Sequence, residues 1–138
     1  MPFVLDASIS ACWAFEDEDH PDATLALERI RSDEARVPSR WWFEVRNTLI
    51  VNERRGRLTD GDTAAFLRGL SRLGITVDRS PDEAAVLTLA HRHRLPVYGA
   101  SYLEWAQRAS IPLATLDLDL ARAARAEQVP LLDTRGTP

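Results

Sequence analysis

The 138-residue chain is 45% hydrophobic with a formal net charge of −4, which excludes a disordered polymer and a protein that coats nucleic acid by bulk electrostatics. All 17 basic residues are arginines, which excludes a P-loop lysine and Schiff-base chemistry on lysine. Its single cysteine, Cys12, cannot form an internal disulfide, the N-terminus lacks a signal-like segment, and no apolar run reaches the ~20 residues of a membrane span. We therefore expect a cytoplasmic protein with no membrane partner.

Short apolar runs alternate with helical stretches, which predicts an α/β domain with a mainly parallel sheet. In the first half, a buried strand ends at an acid, and capping and stop residues mark the elements that follow. These elements are strand 2–6, helix 8–15 capped by Ser8, helix 23–32, strand 35–37, and helix 39–58 with Ser39 as its cap and Gly56 as its stop.

The second half continues the same alternation. It predicts helix 59–74 from Thr59 to Gly74, strand 75–78, helix 80–93 opened by a Ser80–Glu83 capping box, a helix after Pro96, strand 112–115, helix 118–127 and strand 129–132. No linker, repeat or low-complexity segment interrupts the series. We therefore expect a single domain over residues 1–133 and a flexible tail over residues 134–138.

Three acids are candidates for one functional site. Asp6 and Asp117 follow apolar strands, and open parallel sheets bind ligands outside the carboxyl ends of their strands. Glu44 lies in the second turn of its predicted helix, next to apolar residues. Carboxylates directed at one point repel each other by up to about 4 kcal/mol per pair at an effective dielectric near 20. A hard divalent cation relieves that repulsion, so these acids form a candidate Mg²⁺ or Mn²⁺ site.

The same residues also have structural interpretations, which the sequence leaves open. An Asp at a strand end often caps the next helix, which applies to Asp6 and Asp117, and Glu44 could be a surface residue of its helix. Cys12 lies in an apolar stretch and fits a small buried core residue better than a nucleophile.

Four segments together resemble the PIN-domain family, and among its members the VapC-type toxins of bacterial toxin–antitoxin pairs. They read FVLDASISACWAF, VPSRWWFEVRNTLIVNERRGRL, LPVYGASYLEWAQR and IPLATLDLDLARAAR, and they follow the family's order over residues 3–132. The resemblance implies a three-layer α/β/α PIN-like domain with a mainly parallel sheet of about five strands. It also implies a metal-dependent endoribonuclease that hydrolyses RNA phosphodiester bonds with Mg²⁺ or Mn²⁺.

The family's site residues carry over by their positions in these segments. The residues implied to be catalytic and metal-binding are Asp6, Glu44 and Asp117. The residues implied to orient water or carboxylates around the metal are Ser8, Asn47 and Thr115.

Gly99 occupies the position of the family's third acid, directly after Tyr98. With one carboxylate fewer, we expect the chain to bind one ion and to bind a second poorly. We also expect its ribonuclease activity to be attenuated or absent, because losing a transition-state interaction commonly lowers a rate by about 10²–10³-fold. A glycine near a helix start can also serve the backbone, as a cap or at a point of close approach.

The resemblance implies an RNA substrate, a homodimer and a small cognate antitoxin through which the toxin reaches operator DNA. Candidate phosphate-binding residues are Arg40, Arg46, His91, Arg92, His93 and Arg94. The run 91–94 is also typical of a solvated helix end whose cations favour the helix dipole. An apolar stripe for the core or for a partner is formed by Trp41, Trp42, Val45 and Leu49.

Two other functions compete with the ribonuclease. The first is a non-catalytic PIN-fold module that binds an antitoxin and, with it, operator DNA. The second is a phosphatase with Asp6 as nucleophile, which is disfavoured. Such sites require an Asp two residues later and a lysine, whereas the chain has Ser8 and no lysine.

Overall fold

The computed structural model describes residues 1–78 and 80–134, and its elements confirm the alternation of strands and helices. The strands are β1 (Phe3–Leu5), β2 (Ala35–Pro38), β3 (Ile75–Asp78) and β4 (Leu113–Ala114). The helices are α1 (Ala7–Cys12), α2 (Pro21–Arg29), α3 (Arg40–Arg54), α4 (Asp60–Leu70), α5 (Glu83–His93), α6 (Val97–Ala109) and α7 (Leu118–Ala126). No helix in this part of the chain combines the length and apolarity needed to cross a membrane.

The four strands form an all-parallel sheet in the order β3-β2-β1-β4, with helices on its faces in a three-layer α/β/α arrangement. Helix α6 packs against β1, β2 and β4 and has α5 and α7 as neighbours, whereas α1 packs against α2 and α3. Strand β1 is at most 1% exposed along its length, as expected of a parallel strand covered on both faces. The carboxyl ends of β1 and β4 therefore lie side by side.

The prediction of about five strands is wrong, because the last apolar run forms only an isolated parallel bridge between Leu131 and Leu113. The Leu113 N–H donates to the Pro130 carbonyl at 2.9 Å, and the Leu132 N–H donates to the Leu113 carbonyl at 2.9 Å. Pro130 has no N–H with which to extend this ladder, and β4 is only 2 residues long. The pairing therefore ends after one bridge.

Two helices begin at residues other than the predicted caps. Helix α1 starts directly after Asp6, so Ser8 lies inside it and does not cap it. Helix α5 starts after Asp82, whose side chain accepts the Ala85 N–H at 3.2 Å. Ser80 lies before the helix, and its N–H donates to Asp78 Oδ1 at 3.2 Å.

The predicted cap of α4 is confirmed, and it is a full capping box. The Asp62 N–H donates to Thr59 Oγ1 at 3.0 Å, and the Thr59 N–H donates to Asp62 Oδ2 at 3.0 Å. Gly56, the predicted stop of the preceding helix, has a φ of 77°, the left-handed conformation in which glycine is favoured. Residues 135–138 of the predicted tail lie outside the described residues.

Helix α3 divides its aromatic residues between the core and the surface. Trp41, Val45 and Leu49 are at most 4% exposed, and Trp41 Nε1 donates to Ser10 Oγ at 2.8 Å. Trp42 is 47% exposed. The predicted apolar stripe is therefore mainly core, and Trp42 lies outside it.

Candidate functional site

Asp6 is a buried carboxylate at the carboxyl end of β1, with 6% of its surface exposed. Its Oδ2 accepts hydrogen bonds from Ser8 Oγ at 2.8 Å and from Thr115 Oγ1 at 2.5 Å. Thr115 reaches Asp6 because β4 pairs with β1 in parallel and both strands end at this edge. Burial raises the pKa of Asp6, although the two hydroxyl donors act in the opposite direction.

The two hydroxyls are themselves oriented by the backbone that follows β4. Ser8 Oγ accepts the Leu116 N–H at 2.9 Å, and Thr115 Oγ1 accepts the Asp117 N–H at 3.0 Å. Each hydroxyl thus accepts a hydrogen bond from a backbone N–H and donates its own proton to Asp6. Ser8 and Thr115 therefore both contact the carboxylate, and they hold it in one orientation.

Asp117 is exposed at the rim of this edge and caps α7. Its Oδ1 accepts the N–H groups of Asp119 at 2.9 Å and Leu120 at 3.2 Å. The capping interpretation of Asp117 is therefore correct, and it occupies one of the two carboxylate oxygens. The charge of Asp117 also raises the pKa of Asp6, so the two acids share one electrostatic environment.

Glu44 is half-buried on α3 and is hydrogen-bonded to Tyr102, which also contacts the backbone of Ala7, the residue after Asp6. This role of Tyr102 was not predicted from the sequence. The Tyr102 hydroxyl donates to Glu44 Oε1 at 3.1 Å and accepts the Ala7 N–H at 3.3 Å. Burial raises the pKa of Glu44, and the nearby charge of Asp6 raises it further. Tyr102 is 1% exposed, and burial followed by the charges of Asp6 and Glu44 raises its pKa, which keeps its hydroxyl protonated as a donor.

Among the described residues, these acids form no ion pair. Within residues 1–78 and 80–134, no arginine, histidine or terminal amine lies within 4.0 Å of the carboxylates of Asp6, Glu44 or Asp117. Arg40 lowers the pKa of Glu44 through its charge, but its guanidinium stacks over the Tyr98 ring at 4.8 Å. Oxygen ligands with uncompensated negative charge fit a hard divalent cation.

The three carboxylates do not converge on one point as tightly as a fully direct ligand set would. In the described chain, the only group of three acid, His or Cys ligand atoms within 4.8 Å of one another is formed by Cys12, Glu18 and His20. We call the carboxyl end of the sheet with Asp6, Glu44 and Asp117 the acidic edge. A single ion there would need some of these acids to bind it through water, an arrangement that Mg²⁺ tolerates.

Gly99 is the third residue of α6 and is buried one helical turn before Tyr102, on the same helix face. A Cβ atom added to Gly99 would have Pro96 Cδ at 3.7 Å as its nearest neighbour outside the local backbone, an ordinary van der Waals contact. Its φ is not in the left-handed region, and the N-cap of the helix is Pro96. Neither the backbone nor the packing therefore requires glycine at this position.

Two further acids, Asp119 and Glu104, each contact an arginine. The Asp119 side chain is 72% exposed and lies 3.4 Å from Arg122. Glu104 is 2% exposed, and its Oε1 accepts from Arg108 Nε at 2.7 Å. Glu104 is thus already paired in a structural ion pair.

Asn47 is exposed on α3 and shares a surface depression of about 450 Å³ with Glu44. Its side chain makes no hydrogen bond to the acids within the described residues, so the predicted contact with the metal environment has no direct counterpart here. The depression is lined by exposed aromatic residues: Phe43 is 63% exposed and packs edge-on against Trp42 at a centroid distance of 5.0 Å. Arg46 stacks over the Trp42 ring at 4.0 Å.

The basic run 91–94 lies at the other end of the helical layer. Arg92 Nη1 and His93 Nε2 contact Glu127 Oε2 at 2.8 and 2.6 Å. Glu127 is the C-cap of α7, whereas Asp117 is its N-cap, so the two ends are separated by about 13 Å of helix. The helix-end interpretation of this run is therefore favoured over RNA contact.

Comparisons with known proteins identify the fold. No family model matches the sequence, and no curated protein matches it. The crystal structure of PAE2754 from Pyrobaculum aerophilum is similar with a TM-score of 0.70 and 20% sequence identity, over 89% of this chain and 84% of that chain. At this identity the similarity shows a shared fold.

Proposed function

We propose that this chain is a metal-dependent endoribonuclease of the PIN-domain, VapC-like type, attenuated by the glycine at position 99. The observation that carries the proposal is the buried Asp6 carboxylate at the sheet edge. Within the described residues it is hydrogen-bonded only to neutral groups, and it interacts electrostatically with Glu44 and Asp117. Burying the charge of Asp6 without a cation is costly, so its position favours a role in binding one.

Asp6 would hold a single Mg²⁺ or Mn²⁺, with Glu44 and Asp117 as further ligands, direct or through water. The bound ion supplies polarisation of the scissile phosphate and activation of the attacking water. Ser8 and Thr115 keep Asp6 Oδ2 in a fixed orientation, and Tyr102 does the same for Glu44 Oε1. Fixed carboxylates lower the reorganisation that accompanies charge development in the transition state.

RNA is the proposed substrate, and α3 offers groups that suit it. Arg40 and Arg46 lie on the same helix as Glu44, and guanidinium groups bind phosphate in two-point contacts. Trp42 and Phe43 expose ring surface on which unpaired bases can stack. A cytoplasmic location, a homodimer and a cognate antitoxin belong to the same proposal.

A sensitive cleavage assay on a tRNA panel in Mn²⁺ tests this function. We expect weak cleavage by the chain and stronger cleavage by Gly99→Asp, with both activities removed by EDTA and by Asp6→Asn. Asp6→Asn keeps the shape of the side chain while removing its charge, so a folded but inactive variant assigns the loss to the carboxylate. If neither the chain nor Gly99→Asp cleaves any RNA, the nuclease proposal is wrong.

The second candidate is a non-catalytic module that binds an antitoxin and, with it, operator DNA. It is favoured by Gly99 and by the exposed apolar group of Trp42, Phe43 and Ile50 beside Glu44, with exposures of 47%, 63% and 39%. Tight binding of a partner, together with no Mn²⁺ uptake by calorimetry in either the chain or Gly99→Asp, would select this alternative.

A further inference from the structure

The loop between α1 and α2 brings three different metal-ligand side chains together, away from the acidic edge. Cys12 is the last residue of α1, Glu18 lies in the loop, and His20 is the N-cap of α2. One sulfur, one carboxylate oxygen and one imidazole nitrogen from these residues all lie within 4.8 Å of one another. None of these side chains takes part in the site built on Asp6.

The loop is fixed on both sides of these residues. Trp13 Nε1 donates to the Ala23 carbonyl at 2.8 Å, which ties the start of the loop to α2. Arg57 Nη2 donates to Glu18 Oε2 at 3.0 Å, and its guanidinium stacks over the Phe15 ring at 4.3 Å. An outer partner of this kind orients a ligating carboxylate.

The three positions differ in exposure in a way that suits an ion entering from solvent. Cys12 is 5% exposed and forms the floor, Glu18 is intermediate and His20 is exposed. Cys12 Sγ lies 3.6 Å from the Glu18 carbonyl, so the loop backbone already folds over the sulfur. The neighbouring acid Asp19 adds negative charge that attracts a cation, whereas Asp17 is paired with Arg57.

The donor set indicates which class of ion would bind. Thiolate and imidazole select borderline-soft ions such as Zn²⁺ over Mg²⁺ or Ca²⁺. In tetrahedral zinc sites, bond lengths of about 2.0–2.3 Å place neighbouring donors roughly 3.3–3.7 Å apart. A group within 4.8 Å reaches that spacing by small side-chain rotations, which an exposed histidine makes easily.

We propose that Cys12, Glu18 and His20 form a three-ligand Zn²⁺ site that clamps the α1–α2 loop, with water in the fourth position. Binding forms a sulfur–zinc bond, and the thiol proton of Cys12 passes to the solvent. The site is independent of the proposed nuclease function. Its expected effect is a metal-dependent gain in the stability of the loop and of the fold.

Co²⁺ is a suitable probe, because a thiolate ligand gives near-ultraviolet charge-transfer absorption and tetrahedral geometry gives intense visible bands. We expect one equivalent of Co²⁺ to produce both signals in the full chain, and Zn²⁺ to displace it. Cys12→Ser should remove the charge-transfer band. His20→Gln should weaken binding by more than the roughly 10–100-fold typical of losing an outer-shell partner.

Two controls make the test decisive. His20 makes no side-chain cap bond and is exposed, so His20→Gln leaves the fold intact even if the buried Cys12→Ser does not. His91→Gln, at another exposed histidine, should retain the full Co²⁺ spectrum, and Asp6→Asn should retain the charge-transfer band of the Cys12 site. A spectrum without the charge-transfer band, equal binding by His20→Gln and His91→Gln, or loss of the charge-transfer band in Asp6→Asn would each overturn the proposal.

Discussion

Replacing Gly99 by Asp is the most informative perturbation of the acidic edge. Outside the local backbone, the nearest atom to an added Cβ is Pro96 Cδ at 3.7 Å, so the Cβ itself enters without a clash. Position 99 lies on the Tyr102 face of α6, and Tyr102 bonds to Glu44, so the new carboxylate is introduced beside the existing acids. If it acts mainly in the transition state, we expect RNA cleavage in Mn²⁺ to rise by about 10²–10³-fold.

Two further variants at the same position separate charge from backbone effects. Gly99→Ala should raise the free energy of unfolding by about 0.5–1 kcal/mol, because it restricts the unfolded chain at a helical position, and it should leave cleavage unchanged. Gly99→Asn has the shape of Asp without its charge. Single-turnover cleavage of labelled RNA measures all three variants, and equal rates for Asp and Asn would refute a role for the missing charge.

Three other outcomes follow from described contacts. In a thermal shift assay, Mn²⁺ at about 100-fold its Kd should stabilise the chain by about 2.7 kcal/mol, and Asp6→Asn should show no such gain. Tyr102→Phe leaves Glu44 without its donor and should cost about 1–2 kcal/mol in urea unfolding, whereas Tyr98→Phe, at an exposed ring, should cost little. Bonds from Arg92 and His93 lower the pKa of Glu127 to about 2, so its stabilisation is complete above the ordinary value of 4.5 and is lost as the pH falls towards 2. Glu127→Gln should therefore cost about 1–2 kcal/mol at pH 7, allowing for solvent screening, and much less near pH 2, as measured by unfolding across that range.

The acidic edge is predictable from sequence where strand position alone determines geometry. Asp6 and Thr115 follow apolar runs, and parallel strands bring their carboxyl ends to one edge, so their meeting requires only the fold class. The contact between Ser8 and Asp6 is predictable for a similar reason, because Ser8 lies two residues after Asp6 at the start of a helix. The prediction of a fifth strand was wrong because it considered only the apolar composition of run 129–132. Pro130 has no N–H to donate, so this run forms a single bridge.

The contribution of Tyr102 was not predictable in the same way. Its hydroxyl forms hydrogen bonds with Glu44 and Ala7 because α6 packs across β1 and β2. No local sequence pattern predicts that packing. Its spacing of three residues from Gly99 was the one available signal. The group of Cys12, Glu18 and His20 was missed for a related reason, since its convergence depends on the path of the α1–α2 loop.

The separation in sequence between Asp6 and Thr115 has a consequence for a protein made from its N-terminus. The two are 109 residues apart, yet they share one hydrogen bond at the centre of the edge. A ribosome adding about 5–20 residues per second takes roughly 5–20 s to make the stretch between them. The nascent polypeptide therefore cannot form the Thr115–Asp6 hydrogen bond during that interval, and Asp6 lacks this donor until Thr115 has been made.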